Sequence, residues 1–290
     1  MSLTPEQIEI RRTGIGGSEI AAVLGESRFA SPFDVWLSKT QGWRQEENED
    51  MRRGTFLEGG IADWYAQRFS LVGKLDEHGT IKHATQPLAM CTPDRLVRFN
   101  IIPERRILSI KSPRRRSDAW GDEFSDRIPQ EYALQLQWEY LVLNSHMKLD
   151  AEMHLAALLD GELIVYSIEP DKELQKWMLE YATSWWQRHV VANVAPPLDG
   201  SSQAAAWLKS KYPQDAGARR DASPHEIRLM LELEMAERAF DDADSQVELA
   251  RSHLKMSMGD VARITAPNGS ITWKVDKNGK RSFKTNWRKS

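Results

Sequence analysis

Pro93-Asp94 and, fifteen residues beyond the aspartate, Ser109-Ile110-Lys111 are the residues whose types and spacing best suit chemistry in this chain. A Pro-Asp turn at one strand followed by an acid-x-Lys on the next sets the acid and the lysine on one strand face, because side chains alternate. The residue between them can offer its carbonyl. Such a set would cleave a phosphodiester with a metal ion: carboxylates hold the ion, and the lysine favours the attacking hydroxide. Magnesium takes one or two carboxylates, and waters and phosphate oxygens complete its octahedron. Here Asp94 and Lys111 stand at suitable positions, while Ser109 occupies the place of the second carboxylate. Alone, such pairs are mostly turns and surface lysines, so their surroundings must decide.

The elements that would position them follow from periodicity. Residues 17–25 and 56–70 carry apolar side chains at three- and four-residue spacing and read as helices. Ser18 stands at the start of the first, as a cap or just inside it. Glu46 to Asp50 reads as an acidic loop. The stretch 80–110 reads as strand-rich, with segments at Leu88–Met90, Leu96–Ile102 and Arg106–Ile110. Pro129 would open a helix through Asn144 at its first position. Ala151–Leu159 and Glu162–Ile168 pair across Asp160-Gly161, a hairpin signal. Residues 170–190 form an amphipathic helix with Trp177, Trp185 and Trp186. This order predicts an α/β (α+β) core with a central mixed sheet flanked by helices. The expected boundaries are a core at 1–193, a Pro/Gly/Ser-rich linker at 194–221, and an appendage at 222–290 made of one long helix and a β-hairpin.

Composition narrows the class. Hydrophobic residues make up 41% and charged residues 28%, the balance of a water-soluble protein, and no apolar run approaches the roughly 20 residues that cross a bilayer. Met1 to Gly14 carries charges throughout and resembles no secretory signal. The single cysteine, Cys91, excludes an intramolecular disulfide and a cysteine-rich zinc site, as expected of a cytoplasmic protein. The net charge of −3 argues against indiscriminate coating of nucleic acid, yet basic residues cluster at Arg11-Arg12, Arg52-Arg53, Arg105-Arg106 and Arg114-Arg115-Arg116. The last cluster follows the candidate lysine directly, which makes Arg114 and Arg115 candidates for DNA contact. The C-terminal tail is also basic, with Trp273 and Trp287 available for base stacking.

From Arg11 onward the sequence resembles the lambda-exonuclease-like, or YqaJ-type, viral recombinases of the PD-(D/E)xK superfamily. The resemblance is carried by Arg11-Arg12 through Gly16-Gly17-Ser18-Glu19, by Ser31-Pro32-Phe33 with Lys39-Thr40, and by Arg53-Gly54-Thr55-Phe56-Leu57-Glu58. It continues through Cys91-Thr92-Pro93-Asp94, Leu108-Ser109-Ile110-Lys111-Ser112-Pro113, and Ile128-Pro129 to Tyr132, Gln135 and Gln137. It implies a restriction-endonuclease-like core that acts as a Mg²⁺- or Mn²⁺-dependent 5′→3′ exonuclease on double-stranded DNA ends. It further implies a single-strand annealing partner and a homo-oligomer, such as a trimeric ring. Carried over by residue, Asp94 and the Ile110 carbonyl would hold the metal, and Glu58 would hold it directly or through water. Lys111 would activate the attacking water, and Tyr132 and Gln135 would line the site. Arg11 and Ser18 would grip the 5′-phosphate beside a helix N-terminus.

Ser109 departs from the family's acid, and a neutral serine is a poor magnesium ligand. Another carboxylate could reach the metal instead. With Tyr132 at zero, Gln135 falls at roughly 300°, Glu139 at roughly 340° and Glu131 at roughly 260° around a helix, so Glu139 and Glu131 are candidates beside Glu58. Alternatively the chain binds DNA ends without cutting, or the serine is a deliberate inactivation that traps a complex. An endonuclease of the same fold is a further reading.

Overall fold

The computed structural model describes residues 5–43, 47–69, 78–99, 104–150, 152–276 and 279–288. It divides into two compact units, Met1–Pro213 and Gln214–Ser290.

The first unit opens with four helices: α1 (Pro5–Arg12), α2 (Gly17–Val23), α3 (Pro32–Gln41) and α4 (Glu49–Arg68). α3 begins with a reciprocal cap, in which the Ser31 hydroxyl accepts from the Asp34 N–H and the Asp34 carboxylate accepts from the Ser31 N–H. α4 starts earlier than apolar spacing suggests. Asn48 caps it by accepting from the Met51 N–H, so Glu49 and Asp50 of the expected acidic loop form its first turn, where negative charge suits the helix dipole. Glu46 lies outside the described residues.

A short ribbon pairs β1 (Ile81–Lys82) with β2 (Met90–Cys91). The central sheet has the order β3 (Arg95–Arg98), β4 (Arg105–Lys111), β5 (Met153–Leu159), β6 (Glu162–Ile168). Its β4–β5 pair is parallel and the two outer pairs are antiparallel, so the sheet is mixed. The parallel step requires a crossover, supplied by α5 (Gln130–Asn144). Pro129 sits just outside this helix as its cap and not as its first residue. The β5–β6 turn has both Asp160 (φ 51°) and Gly161 (φ 91°) in the left-handed region, which favours these residue types. α6 (Lys172–Trp185) runs on into a π-helical turn, Trp186–Val191.

Alternation along β4 decides which helix meets which face. Ile107 joins the larger core with Leu155, Ala157 and buried residues of α2, α3 and α5. Leu108 and Ile110 join a smaller core with Val97, Ala156, Val165 and with Ile61, Ala62 and Tyr65 of α4. Ser109 and Lys111 therefore belong to the α2/α5 face, and α4 covers the other.

The expected linker at 194–221 contains a helix, α7 (Ser202–Lys211). Its Trp207 meets the rings of Phe33 and Trp36 edge-on, each at 5.4 Å, so this segment packs as part of the first unit. The second unit consists of the 35-residue α8 (Pro224–Met258), with Ser223 as cap and proline at its first turn, and a three-stranded antiparallel sheet. That sheet joins β7 (Arg263–Ala266), β8 (Gly269–Val275) and β9 (Arg281–Trp287), so the expected hairpin gains a third strand from the basic tail. The Arg281 guanidinium covers the Trp273 ring at 3.6 Å, which removes that face from stacking on anything else.

Candidate active site

The register of β3 and β4 builds the centre of the site. β3 begins at Arg95, opposite Leu108, so beyond Leu108 the β4 edge has no strand neighbour on that side. Asp94, one residue before β3, fills the gap. Its Oδ2 accepts the Ile110 N–H at 2.7 Å and the Ser109 hydroxyl at 3.2 Å, and the Lys111 ammonium stands 3.9 Å away. In a strand the carbonyl of a residue emerges on the same edge as its N–H, so the Ile110 carbonyl opens toward this gap as well. Ser109 is 1% exposed, and its hydroxyl orients the aspartate.

A further carboxylate in this cleft comes from α5. Glu139 is fully buried and lines the same cleft as Asp94, Lys111, Gln135, Arg11 and Ser18. Its Oε1 accepts from Gln135 Nε2 at 2.7 Å, while its Oε2 is buried with no hydrogen-bond partner. Burial, reinforced by the negative charge of Asp94 and opposed by Lys111, pushes the Glu139 carboxyl up to about 7. Gly17 makes the approach possible. A Cβ there would lie 2.9 Å from Glu139 Oε1 and 3.0 Å from its Cγ. The preceding loop is fixed by Ile15, whose N–H donates to the Leu88 carbonyl at 2.7 Å and whose carbonyl accepts from Trp138 Nε1 at 3.1 Å.

The other candidate carboxylates are engaged elsewhere. Glu58 belongs to α4, on the opposite sheet face, and meets Arg95 Nη1 at 2.8 Å. Glu131 faces Arg28 at 2.6 Å. Tyr132 stands beside the site. Lys111 Nζ lies 5.4 Å from its ring centre, between contacts to Trp120 and Phe29. Arg11 and Ser18 both line the cleft. The α2 helix is only seven residues long, so an anion there would rely on these side chains more than on a helix dipole. Arg114 is exposed and paired with Asp50, and Arg115 is exposed. Arg106, from the basic pair Arg105-Arg106, is buried between Asp150 and His154.

Two carboxylates, one carrying an orphaned buried oxygen, and a strand carbonyl form a donor set that suits a hard divalent cation, with the Lys111 ammonium beside it. Among the described residues no group of three or more His, Cys, Asp or Glu side chains gathers into a metal cluster. Magnesium needs fewer, because it keeps several waters.

Comparison with known proteins bears on this arrangement. Residues 7–163 match the YqaJ-like viral recombinase domain. The chain belongs to this family. It is 26% identical over 270 residues to the uncharacterized protein YqaJ of Bacillus subtilis (strain 168), which covers 91% of this chain and 81% of that one. Its fold is similar to that of an alkaline exonuclease, LHK-Exo, from Laribacter hongkongensis, with a TM-score of 0.50, 18% identity, and coverage of 72% of this chain and 98% of that one. The structure of LHK-Exo in complex with dAMP gives a TM-score of 0.51 at 17% identity, again over 72% and 98% of the two chains.

Within this YqaJ-like domain one feature escapes periodicity and spacing altogether. Lys39, buried on α3, contacts Glu19 at 2.7 Å and so reaches the wall of the cleft from behind. A lone lysine in a helix's last turn reads as a solvated charge that suits the dipole, which is why its sequence context gives no sign of this contact.

Proposed function

We propose that this chain is a metal-dependent deoxyribonuclease acting as a 5′→3′ exonuclease on double-stranded DNA ends, in support of single-strand annealing recombination. The observation that carries the reading is Glu139, a buried carboxylate with an unsatisfied oxygen beside Asp94 and Lys111. It supplies the second acid that Ser109 lacks. Asp94, Glu139 and the Ile110 carbonyl would hold Mg²⁺ or Mn²⁺, which lowers the charge on the scissile phosphate and the pKa of an attacking water.

The chain's own residues do the rest. Ser109 and the Ile110 N–H hold Asp94 in one orientation. Gln135 fixes one oxygen of Glu139 and leaves the other without a hydrogen-bond partner. Lys111, kept near Asp94 and against the Tyr132 ring, orients the attacking water and offsets charge that develops on the phosphate oxygens. Arg11 and Ser18 would take the terminal 5′-phosphate, with Arg114 and Arg115 on the flanking backbone. Glu58 then acts through Arg95 at most. Membership of a viral recombinase family supports a phage or prophage setting, an annealing protein as partner, and a homo-oligomeric assembly.

The test uses linear duplex DNA labelled on each strand, beside a covalently closed circle, with Mg²⁺ or Mn²⁺. Stepwise loss of the 5′-ended strand with the circle intact supports an exonuclease. Cutting of the circle makes it an endonuclease. Tight end binding without cutting, together with cutting by Ser109→Glu, would instead favour a chain that binds ends but has lost catalysis.

A further inference from the structure

Lys39 is a buried cation that the reading above leaves unused. Its side chain is 1% exposed. Its ammonium donates to both Glu19 oxygens at 2.7 Å and to the Arg11 carbonyl at 2.6 Å. Glu19 Oε2 in turn accepts the Gly16 N–H at 2.8 Å. One ammonium thus joins the last turn of α1, at Arg11, to the Gly16–Ser18 segment. Arg11, Gly16, Gly17 and Ser18 all line the cleft that holds Asp94 and Glu139.

Packing alone would favour a different residue. Phe33, Val35, Trp36 and Leu37 of the same helix are buried and apolar, and an apolar side chain in place of Lys39 would avoid the cost of taking an ammonium out of water. Desolvation indeed pulls the Lys39 pKa down, with Glu19 opposing it. What an apolar residue cannot do is hold a carbonyl on α1 and a carboxylate on α2 at one point. Arg11 is separated from Gly16 by a short loop, and only this contact fixes its backbone relative to Glu19 among the hydrogen bonds described for it.

We propose that Lys39 is a positioning residue for recognition of the DNA terminal phosphate, holding Arg11 and Ser18 in register across the cleft. This rests on the reading of Arg11 and Ser18 as the groups that take that phosphate. Lys39 touches no substrate itself. Its loss would let the Arg11 segment drift and would leave the Glu19 charge unbalanced beneath the site, while Asp94 before β3, Lys111 on β4 and Glu139 on α5 keep their places.

The experiment compares KM and kcat on linear duplexes carrying a 5′-phosphate or a 5′-hydroxyl, in wild type, Arg11→Ala, Lys39→Met and the double variant Lys39→Met with Glu19→Gln. The double variant removes both charges, so no buried carboxylate is left alone, and glutamine can still accept the Gly16 N–H. Wild type should prefer the phosphorylated end, and Arg11→Ala should abolish the preference. Both Lys39 variants should raise KM for the phosphorylated end roughly tenfold, leave KM for the hydroxyl end and kcat within about twofold, and bring the ratio of the two KM values near one. If wild type and Arg11→Ala behave so but either Lys39 variant keeps the wild-type ratio, positioning by Lys39 is wrong and the end-recognition reading survives. Recovery of the ratio in the double variant alone would likewise overturn it, because charge balance would then be all that Lys39 supplies. A wild type indifferent to the phosphate overturns both.

Discussion

The Ser109 hydroxyl donates at 3.2 Å to Asp94 Oδ2, the oxygen that also accepts the Ile110 N–H at 2.7 Å. A serine at the position where an acid is expected therefore serves the neighbouring acid. It supports one carboxylate from the strand, and the second arrives from the helix across the sheet face.

If that is the serine's work, Ser109→Ala is mild. One long hydroxyl-to-carboxylate hydrogen bond is worth about 1.5 kcal/mol, the low end for a charged acceptor, so turnover should fall only about tenfold, with the metal dependence unchanged. Steady-state cleavage over a metal titration measures this. A loss of several hundredfold would mean that the hydroxyl does more than orient Asp94.

Gly17→Ala should be severe for so small a change. The new Cβ would meet Glu139 Oε1 at 2.9 Å and its Cγ at 3.0 Å, so the buried Glu139 or the α2 segment must shift. Overpacking of this kind costs about 1–3 kcal/mol, and any shift of Glu139 also lowers activity. Thermal melting and cleavage rates should fall together. Wild-type activity in Gly17→Ala would show that Glu139 has no need of its position.

Glu139 should also destabilise the metal-free protein at alkaline pH. Its carboxyl is raised to about 7 by burial, then by Asp94, against an ordinary 4.5. Between those two values the unfolded chain ionises more readily than the folded one, so stability is lost as pH rises through the window and the loss is complete above pH 7. The full penalty is about 3 kcal/mol at 1.36 kcal/mol per unit. In EDTA at pH 8, Glu139→Gln should melt above wild type. Added Mg²⁺ should raise the wild-type Tm and leave the variant's unchanged.

His154 predicts an opposite, acid-side loss. Burial, then the charge of Arg106, lowers it to about 4, while Glu152 pulls it up. The Tyr65 hydroxyl and Arg106 occupy its two ring nitrogens. A depressed folded pKa leaves stability intact above the unfolded value near 6.5 and removes it as pH falls toward 4, by up to about 3 kcal/mol. Denaturant unfolding across that range should show the slope, and His154→Gln, which has nothing to titrate, should start lower and lack it. An unchanged slope in the variant would assign the titration elsewhere.

Much of this architecture is legible in the residue pattern because alternation and helical spacing report burial directly. Ser109 and Lys111 share a strand face, and Glu139 falls within the arc of Tyr132 and Gln135, for those reasons. Periodicity cannot rank Glu139 above Glu131 or Glu58, because the choice depends on partners distant in sequence. Arg28 takes Glu131, and Arg95 takes Glu58 on the far side of the sheet. α7 is hidden by its Pro/Gly/Ser-rich flanks, and its reason to exist, Trp207 against Phe33 and Trp36, is a long-range contact. β9 is obscured by a basic composition that reads as a solvated tail. Lys39 is the hardest to foresee, since its meaning lies in the Arg11 carbonyl, a backbone atom to which sequence patterns are blind.

The most direct measurement is Mg²⁺-dependent shortening of end-labelled linear duplex DNA by wild type, Glu139→Gln and Glu131→Gln at equal concentration. With Glu139 as the second metal carboxylate, wild type and Glu131→Gln cut, while Glu139→Gln loses at least about two orders of magnitude in rate yet still binds DNA ends. Cutting by Glu139→Gln at the wild-type rate, or a wild type that never cuts while Ser109→Glu does, would contradict the account.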